Sequence, residues 1–571
     1  MTPAPSRTAN PDVEKYLSYV LILLLVILVI STIILGSVPP VDRDALTHHL
    51  FVPKLWLNHG GIYEIPEIPF SYYPMNLDLL YTVSLYFGND IVPKYIHYFF
   101  ALATALLLYR HLAKRLGTHY GLLGALFFLS IPIIVKLSIT VYVDLGVVFF
   151  STTALLLLLH WAEKDFLMRF LILAGLCCGL AAGTKYNGLI AIVVLTLLTP
   201  IIYQQNVAKE QQNNGKALLW GFVFAAATLT SFSPWLIRNY TWTGNPIYPL
   251  HNSLFQKRAN PPVDQQTATP VNITDTLQQI TSQGSNAFIS RRILYNEPWW
   301  QALLLPVRFF LEGQDDNPQF FDGKLTPFLL LLPALAFLRR PSEIRQRLEQ
   351  RFLLLFAILY FFFTFFQESL RIRYIVPIIP PLIILSMYGL RSLYFMLSEN
   401  KNATFSPYFK MLAASIPIFL LAYNAEYIAS QFQIVNPLPY LRGEQTREQY
   451  ISHFRPEYPA IQFTNTLPEQ SRILAVFLGN RGYYFDRPVD FDMKEGGSML
   501  YNVIRQVQTE KQASELLKKQ NISHLLIRLD LFSQWMEQQT DPVAKERLKF
   551  FLQTETRLLF EKNGHGVFQL I

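Results

Sequence analysis

The feature that most constrains this chain is a series of long apolar runs, which recur from near the N-terminus to about residue 430. A helix that crosses a bilayer needs about 20 consecutive, mostly apolar residues. Residues 16–38 form the first such run and consist mostly of Leu, Ile and Val. This run is longer than a signal-peptide core, and no small-residue cleavage site follows it. We therefore predict an uncleaved membrane anchor at 16–38.

Further apolar runs predict more spans, about eleven in total. They lie at 91–112, 119–136, 142–161, 167–184, 187–203, 217–238, 325–338, 352–366, 374–396 and 409–427. The runs at 74–87 and 298–312 are shorter and predict interfacial or re-entrant helices.

The composition agrees with a polytopic membrane protein. Hydrophobic residues make up 51% of the chain and charged residues 15%, whereas soluble domains contain about 25% charged residues. An aromatic content of 14% excludes a disordered chain, and two cysteines exclude a disulfide framework.

The distribution of Lys and Arg predicts the orientation in the membrane. With the N-terminus inside, the inner loops contain Arg110, Lys114, Arg115 and the basic segment 339–351, as the positive-inside rule requires. The loops 39–90 and 239–324 and the tail 431–571 are then outside. The net charge of +8 thus indicates topology, and it does not indicate nucleic-acid binding.

The tail differs from the rest of the chain because its apolar runs are short. Strand-like segments occur at 472–478, 524–529, 557–561 and 567–571, and helix-like segments at 498–509, 510–519 and 541–552. We predict a mainly α fold, in which a transmembrane domain at 1–430 precedes a small extracytoplasmic α/β domain at 431–571.

Ionisable residues gather at the predicted outer ends of the spans. In the segment PPVDRDALTHHL, Asp42 is placed to cap the next helix, and Asp44 lies in its first turn with His48 one turn further along the same face. Capping and interaction with the helix dipole explain both carboxylates. A general base that takes a proton from a hydroxyl group would need the same residue type, so both interpretations stay open.

Two more charged residues lie next to apolar spans. Asp144, in VYVDLGVVFF, lies within the apolar pattern rather than before it, which favours a functional role over a helix cap. Lys185 lies in the tight turn GTKYNG. It is explained equally well as a snorkelling lysine or as a positive charge for a phosphate.

Arg371 and Arg373, in ESLRIRYIVPIIPP, precede a late span on the predicted outer side. The positive-inside rule disfavours arginine there. The guanidinium fork suits phosphate oxygens, and contact with lipid headgroups is the alternative. No metal-binding or nucleotide-binding motif occurs in a suitable context. The sequence therefore requires no cofactor, although a divalent metal is compatible with it.

These segments resemble the GT-C superfamily of integral membrane glycosyltransferases. The resemblance is carried by DRDALTHHLFVPKLWLNHGGIY, VYVDLGVVFF, GTKYNGLIAI and LRIRYIVPIIPPL, in this order. The chain is similar to bacterial proteins of the protein O-mannosyltransferase and lipid A aminoarabinose transferase type over about 1–430. The tail segment GNRGYYFDRPVDFD is similar to the C-terminal domains of some bacterial members.

The resemblance implies a sugar donor carried on a polyprenyl phosphate and an outward cavity. It implies that Asp44 is the catalytic carboxylate, with Asp42 as the alternative because Ala45 stands where the family often has a second acidic residue. Asp144 matches the second acidic position of the family. The WWD motif of oligosaccharyltransferases is missing, since Gln301 follows the two tryptophans, so en bloc transfer to asparagine is not expected.

The donor phosphate is expected to be bound by Lys185, Arg371 and Arg373. The residues expected to line the substrate cavity are His48, Tyr72, Tyr73, Asp78, Tyr186 and Tyr374.

The predicted reaction is inverting transfer of a sugar from the polyprenyl-phosphate donor to a hydroxyl group. The acceptor is a lipid, a glycan or a protein at the outer face of a bacterial cytoplasmic membrane. The alternative is a transporter or flippase of a lipid-linked sugar, although no internal repeat typical of transporters is visible.

Overall fold

A computed structural model describes residues 11–256, 287–366, 370–399, 406–494, 497–539 and 541–571. The chain forms two compact units. The first, here called the membrane unit, comprises Met1–Gly36, Tyr72–Leu80 and Pro93–Asn436. The second, here called the C-terminal unit, comprises Ser37–Ser71, Tyr81–Val92 and Pro437–Ile571. The assignment of function to 1–430 and 431–571 stays a prediction.

Helices make up most of the membrane unit, and each predicted span overlaps one of them. They are Pro11–Gly36, Asn76–Tyr86 (which extends into the C-terminal unit), Val92–Leu116, Thr118–Ser130, Pro132–Ser138, Asp144–Glu163, Met168–Thr184, Gly188–Asn206, Asn214–Thr243, Asn252–Gln256, Ala287–Tyr295, Trp299–Leu303, Leu305–Leu311, Phe328–Leu335, Ile344–Thr364, Ile372–Ile375, Ile379–Glu399 and Ser406–Val435. Single 3-10 turns lie at Lys209–Gln211, Pro318–Phe320 and Val376–Ile378. Part of the predicted outer loop 239–324, residues 257–286, lies outside the described residues.

Six helices in the described part are long and apolar enough to cross a membrane, or seven if one bent pair counts as a span. The chain is thus a multi-pass membrane protein. The count is lower than the predicted eleven or so, because several predicted spans lie in helices that are too short or not apolar enough to meet the criterion. The predicted span 119–136 bends by 67° between Ser130 and Pro132, since the residue before a proline is disfavoured in helical conformation. The predicted span 325–338 is reduced to the eight-residue helix Phe328–Leu335.

The centre of the membrane unit is the packing of Asp144–Glu163 on Met168–Thr184, which in turn packs on Asn214–Thr243. The last two helices approach closely at Gly179, where an added Cβ atom would lie 2.1 Å from the backbone oxygen of Thr228. Glycine is therefore required at this crossing. The close packing fixes the start of Asp144–Glu163 relative to the end of Met168–Thr184.

The C-terminal unit combines short helices with a sheet. Its helices are Ala45–His49, Phe51–His59, Pro69–Tyr72, Pro437–Leu441, Arg447–Phe454, Tyr458–Asn465, Met499–Gln506, Glu510–Lys519, Leu529–Glu537 and Pro542–Thr554. Its strands are β1 (Ile473–Val476), β2 (Val489–Phe491), β3 (Met493–Lys494), β4 (Gly497–Ser498), β5 (His524–Arg528), β6 (Thr556–Lys562) and β7 (His565–Leu570).

Five strands form one sheet in the order β2-β1-β5-β7-β6. β1 is parallel to β2 and β5, whereas β7 is antiparallel to β5 and β6. Side chains alternate between two apolar clusters: Leu474 and Val476 belong to one, and Ile473 and Ala475 to the other. This alternation is typical of a sheet covered on both faces. The predicted small α/β fold is confirmed. The elements that were not predicted are β2, β3, β4 and the helices Pro437–Leu441, Arg447–Phe454, Tyr458–Asn465 and Leu529–Glu537.

Candidate functional site

A buried ion pair joins two of the predicted site residues in the membrane unit. Asp144 is the first residue of Asp144–Glu163, and only 2% of its surface is exposed. Its Oδ1 atom accepts a hydrogen bond from Lys185 Nζ at 2.7 Å. Its Oδ2 atom is buried and has no hydrogen-bond partner among the described residues. Since a buried carboxylate needs a compensating charge, the pair holds Lys185 in place.

A histidine that the sequence analysis did not select fixes the start of the same helix. His97 is fully buried; its Nε2 accepts a hydrogen bond from Leu145 N at 2.9 Å. Its Nδ1 lies 3.2 Å from Thr140 O. These contacts assign the proton to Nδ1 of a neutral imidazole. His97 thereby satisfies a backbone N–H next to Asp144 that the helix itself leaves free.

The turn that carries Lys185 is as tight as predicted. Lys185 ends Met168–Thr184 in extended conformation, with φ −164° and ψ 145°. An added Cβ at Gly188 would lie 2.4 Å from backbone atoms of Ala181 and Ala182, so only glycine fits. Tyr360 donates a hydrogen bond from its hydroxyl to Asn187 O at 3.0 Å. The backbone on both sides of Lys185 is therefore fixed.

A second cation shares an aromatic ring with Lys185. The ring centre of Tyr374 lies 5.3 Å from Lys185 Nζ and 5.4 Å from Arg373 Cζ, and Arg373 Cζ also lies 5.1 Å from the ring of Tyr142. The faces of aromatic rings attract cations. With Asp144, Lys185 and Arg373 give a formal charge of −1 + 2 = +1. We call Asp144, Lys185, Arg373 and Tyr374 the cationic cluster, and its charge suits an anion.

Arg371 is paired with an acidic residue that is not part of the cationic cluster. Arg371 Nη1 donates to Asp322 Oδ2 at 3.0 Å. Lys136 lies near the same aspartate, with its Nζ 3.9 Å from Asp322 Oδ1, and it is closer to Asp316 Oδ1 at 3.3 Å and Asp315 Oδ1 at 3.4 Å. The partner of Arg371 is thus an aspartate, and a role of Arg371 in phosphate binding stays a prediction.

Arg238 is a further, half-buried cation that the sequence analysis missed. Its guanidinium lies between two indoles, 4.5 Å from the ring centre of Trp235 and 4.9 Å from that of Trp242. Its Nη2 donates to Tyr72 O at 2.6 Å and to Tyr73 O at 3.1 Å. The sequence did contain a signal for this residue, because Arg238 lies at the predicted outer end of a span. The positive-inside rule disfavours arginine there, as it does at Arg371 and Arg373.

The predicted cavity tyrosines lie close to one another. The rings of Tyr73 and Tyr186 are 5.1 Å apart, and that of Tyr72 is 4.7 Å from Tyr248. Tyr186 donates to Tyr248 O at 2.8 Å and accepts from Asn239 Nδ2 at 2.9 Å. Burial raises the pKa of Tyr186, so the phenol stays neutral. Asp78 is also buried, in the first turn of Asn76–Tyr86.

Asp42, Asp44 and His48 lie in the C-terminal unit. Helical backbone begins at Arg43 and continues as the π-helix Ala45–His49, a rare conformation that is frequent at functional sites. Arg455 Nε donates to Val41 O at 2.5 Å, and Tyr484 donates from its hydroxyl to Pro40 O at 2.7 Å. The ring of His48 stacks on Phe70 at 4.6 Å. The segment with both candidate bases is thus held by contacts within its own unit.

Arg43, between the two candidate bases, lines a cavity of about 200 Å³ in the C-terminal unit. The cavity lies beyond the carboxyl ends of β1 and β2, where parallel sheets commonly bind ligands. Asp492 is fully buried in its wall and accepts a hydrogen bond at Oδ1 from Leu500 N at 2.8 Å. Its Oδ2 has no hydrogen-bond partner among the described residues. Burial raises the pKa of Asp492.

The described residues contain no group of three or more His, Cys, Asp or Glu side chains that could hold a metal ion.

The chain is similar to known membrane glycosyltransferases both in sequence family and in fold. Residues 67–244 match the family described as dolichyl-phosphate-mannose-protein mannosyltransferase. ArnT from Cupriavidus metallidurans, in the apo state, superposes with a TM-score of 0.54 over 96% of this chain and 97% of that chain, at 12% identity. The chain has the fold of a GT-C membrane glycosyltransferase. The resemblance predicted from the sequence is thereby confirmed.

Two further solved structures show the same GT-C fold. ArnT from Cupriavidus metallidurans bound to undecaprenyl phosphate matches with a TM-score of 0.51 at 11% identity, over 96% of this chain and 97% of that chain. An Archaeoglobus fulgidus oligosaccharyltransferase in complex with Zn and sulfate matches with a TM-score of 0.50 at 14% identity, over 90% of this chain and 69% of that chain. No protein with a curated function matches significantly by sequence. The family match includes Asp144, Lys185 and Arg238, whereas Asp44 and Arg373 lie outside it.

Proposed function

We propose that the chain is a glycosyltransferase that moves one sugar from a polyprenyl-phosphate donor to a hydroxyl acceptor at the outer face of the membrane, with inversion at the anomeric carbon. The observation that carries the proposal is the cationic cluster within a GT-C fold. The matched family is named for a dolichyl-phosphate sugar, and one related structure contains undecaprenyl phosphate. Both are isoprenoid phosphates, so a donor of this class is the simplest common substrate.

Lys185 and Arg373 would bind the donor phosphate. An ammonium group has three N–H donors, and among the described residues Lys185 Nζ hydrogen-bonds only Asp144. Two donors therefore stay available for phosphate oxygens. When the bond between the anomeric carbon and the phosphate oxygen breaks, negative charge grows on the phosphate. Cations that are already held in position stabilise this charge without reorganising.

Asp144 would position Lys185 rather than take part in proton transfer. It is hydrogen-bonded to the ammonium and lies next to the helix start that His97 fixes. The sequence analysis assigned Asp144 a catalytic role, and the proposal now assigns it the orientation of the phosphate-binding lysine.

The general base is proposed to be Asp44, with Asp42 as the alternative. The base takes the proton of the acceptor hydroxyl, whose oxygen forms a bond to the anomeric carbon. The bond from that carbon to the phosphate oxygen breaks, and polyprenyl phosphate leaves with the electron pair. No covalent sugar–enzyme intermediate is needed. The cavity lined by Arg43 is the candidate place for the acceptor, since Arg43 stands between the two candidate bases.

The proposal is tested by a pair of matched arginine variants. Arg373→Ala should raise the KM for the polyprenyl-phosphate donor by about 10- to 100-fold, as expected for the loss of a charge-assisted contact of about 1.5–3 kcal/mol. The KM for the acceptor should change little. Arg371→Ala is the control, because its partner is Asp322. Equal effects of Arg373→Ala on donor and acceptor, or a larger donor effect from Arg371→Ala, would contradict phosphate binding by Arg373.

A further inference from the structure

The membrane unit contains a cavity far from the cationic cluster. It has a volume of about 470 Å³ and lies between the helices Val92–Leu116 and Asp144–Glu163. Glu163, in its wall, is the last of the 20 residues of the helix that begins at Asp144. A helix rises about 1.5 Å per residue, which separates the two sites by roughly the 30 Å of a bilayer hydrocarbon core. The cavity thus belongs to the opposite membrane border.

The cavity combines basic side chains with an apolar wall. Its ionisable lining residues are Arg110, His111, Lys114, Arg115, His160 and Glu163. Leucines of both helices, among them Leu107 and Leu156, form the rest. This combination matches an amphiphile that has a negative head and hydrocarbon chains, rather than a free ion or a wholly apolar ligand.

Part of the positive charge is compensated within the protein. Arg115 pairs with Glu163 and, at 2.8 Å, with Glu349 Oε2. Glu349 is buried; its Oε1 also lies 2.8 Å from His111 Nε2 and accepts a hydrogen bond from Tyr388 at 2.9 Å. Such a buried network fixes its members in one geometry. Arg115 is therefore a positioned part of the wall and not a mobile surface residue.

Arg110 and Lys114 supply charge that these acids do not neutralise. Arg110 is exposed and makes no ion pair with another residue in the described part of the chain. Lys114 Nζ is 3.9 Å from Glu163 Oε2, and its side chain is 63% exposed, so this contact is weak. Two cations at the mouth of the cavity are thus available for a ligand.

We propose that this cavity binds the headgroup of an anionic phospholipid, with the acyl chains along the leucines. Arg110 and Lys114 would contact the headgroup phosphate, and Arg115 would form the floor. Basic pockets between membrane helices are suited to such headgroups. A surplus of Lys and Arg at one border is expected from topology alone, but topology requires neither a cavity of this size nor a buried acid that fixes one of the arginines.

The test measures lipid binding to the purified full-length protein in detergent by native mass spectrometry. The probes are a phosphatidylglycerol, a phosphatidylcholine with the same acyl chains, and inorganic phosphate. The phosphatidylglycerol should bind at least tenfold more tightly than the phosphatidylcholine, and inorganic phosphate should not compete at equal concentration. Competition by inorganic phosphate at equal concentration would show a simple anion site and overturn the proposal, as would equal binding of the two lipids.

A double variant locates the site. Arg110→Gln/Lys114→Gln should weaken phosphatidylglycerol binding by about 30-fold, since each cation near a headgroup contributes about 1 kcal/mol. The matched control is Arg340→Gln/Arg345→Gln, which removes two exposed arginines from another basic segment and should leave the preference unchanged. If the control variant loses the preference to the same extent as the cavity variant, the binding depends on total charge and not on this cavity.

Discussion

Lys185 has two possible roles, which are support for the fold and binding of phosphate, and replacing it together with Asp144 separates them. Lys185→Met leaves Asp144 as a buried carboxylate without its hydrogen-bonded cation, since that residue is only 2% exposed and its hydrogen bond to Lys185, at 2.7 Å, is lost. Removal of one partner of a buried pair costs about 3–5 kcal/mol. The single variant should therefore lose both stability and turnover, and it does not distinguish the roles.

The double variant Asp144→Asn/Lys185→Met makes the distinction. The neutral amide that replaces the carboxylate of Asp144 no longer needs a cation, so we expect most of the lost stability to return. Turnover should stay about 10²- to 10³-fold below that of the unchanged protein, as for the removal of one donor that stabilises a developing anion.

Two measurements on purified protein in detergent provide the result. Thermal unfolding reports stability, and release of labelled polyprenyl phosphate under saturating acceptor reports turnover. Recovery of turnover together with thermal stability in the double variant would refute the reasoning, because it would show that the lysine serves only to compensate Asp144.

The remaining predictions concern the candidate base, the lysine turn and the C-terminal unit. Asp44→Asn should abolish transfer without changing thermal unfolding, and Asp42→Asn should retain it; the reverse pattern would assign the base to Asp42. Gly188→Ala should destabilise the protein by about 1–3 kcal/mol, because the added Cβ meets helix backbone, whereas Gly61→Ala, with open space around it, should be neutral. Burial lowers the pKa of His565. His565 therefore binds a proton more readily in the unfolded chain, and the stability of the fold should decrease as the pH falls below about 6.5. His565→Gln should reduce the difference in thermal stability between pH 5 and pH 7.5, as measured by thermal unfolding.

The architecture could be predicted from the sequence because its helices and strands produce local patterns of apolar residues. Apolar runs mark every helix that meets the length criterion for a span, and four alternating segments in the tail correspond to β1, β5, β6 and β7. The count of spans was less predictable, since it depends on where helices bend and stop. Pro132 bends one predicted span, but whether a proline kinks or ends a helix depends on tertiary packing.

The sequence predicted which residues belong to the candidate site better than it predicted their contacts. The sequence selected Asp144, Lys185 and Arg373 as residues at span ends, and the structure brings them together around Tyr374. It also grouped Arg371 with them, whereas its partner is Asp322. The contacts of two arginines this close in sequence depend on the directions of their side chains at a short helix. No local sequence pattern predicts these directions.

The sequence analysis overlooked two residues of the candidate site, His97 and Arg238. His97 has no motif around it, and only the three-dimensional contact with Leu145 N reveals its role at the start of a helix. Arg238 was a different case, because the argument used for the late arginines applied to it as well. Both residues lie within the part of the chain that matches the mannosyltransferase family.

Cleavage of a lipid-linked donor tests the central claim most directly. Purified full-length protein in detergent is supplied with a polyprenyl-phosphate sugar labelled in both the lipid and the sugar, together with hydroxyl-bearing acceptors from the cell envelope. We expect free polyprenyl phosphate and labelled acceptor in equal amounts, with both lost in Asp144→Asn/Lys185→Met. If the protein in reconstituted vesicles moves the intact donor across the bilayer and never releases polyprenyl phosphate, it is a transporter and the account is wrong.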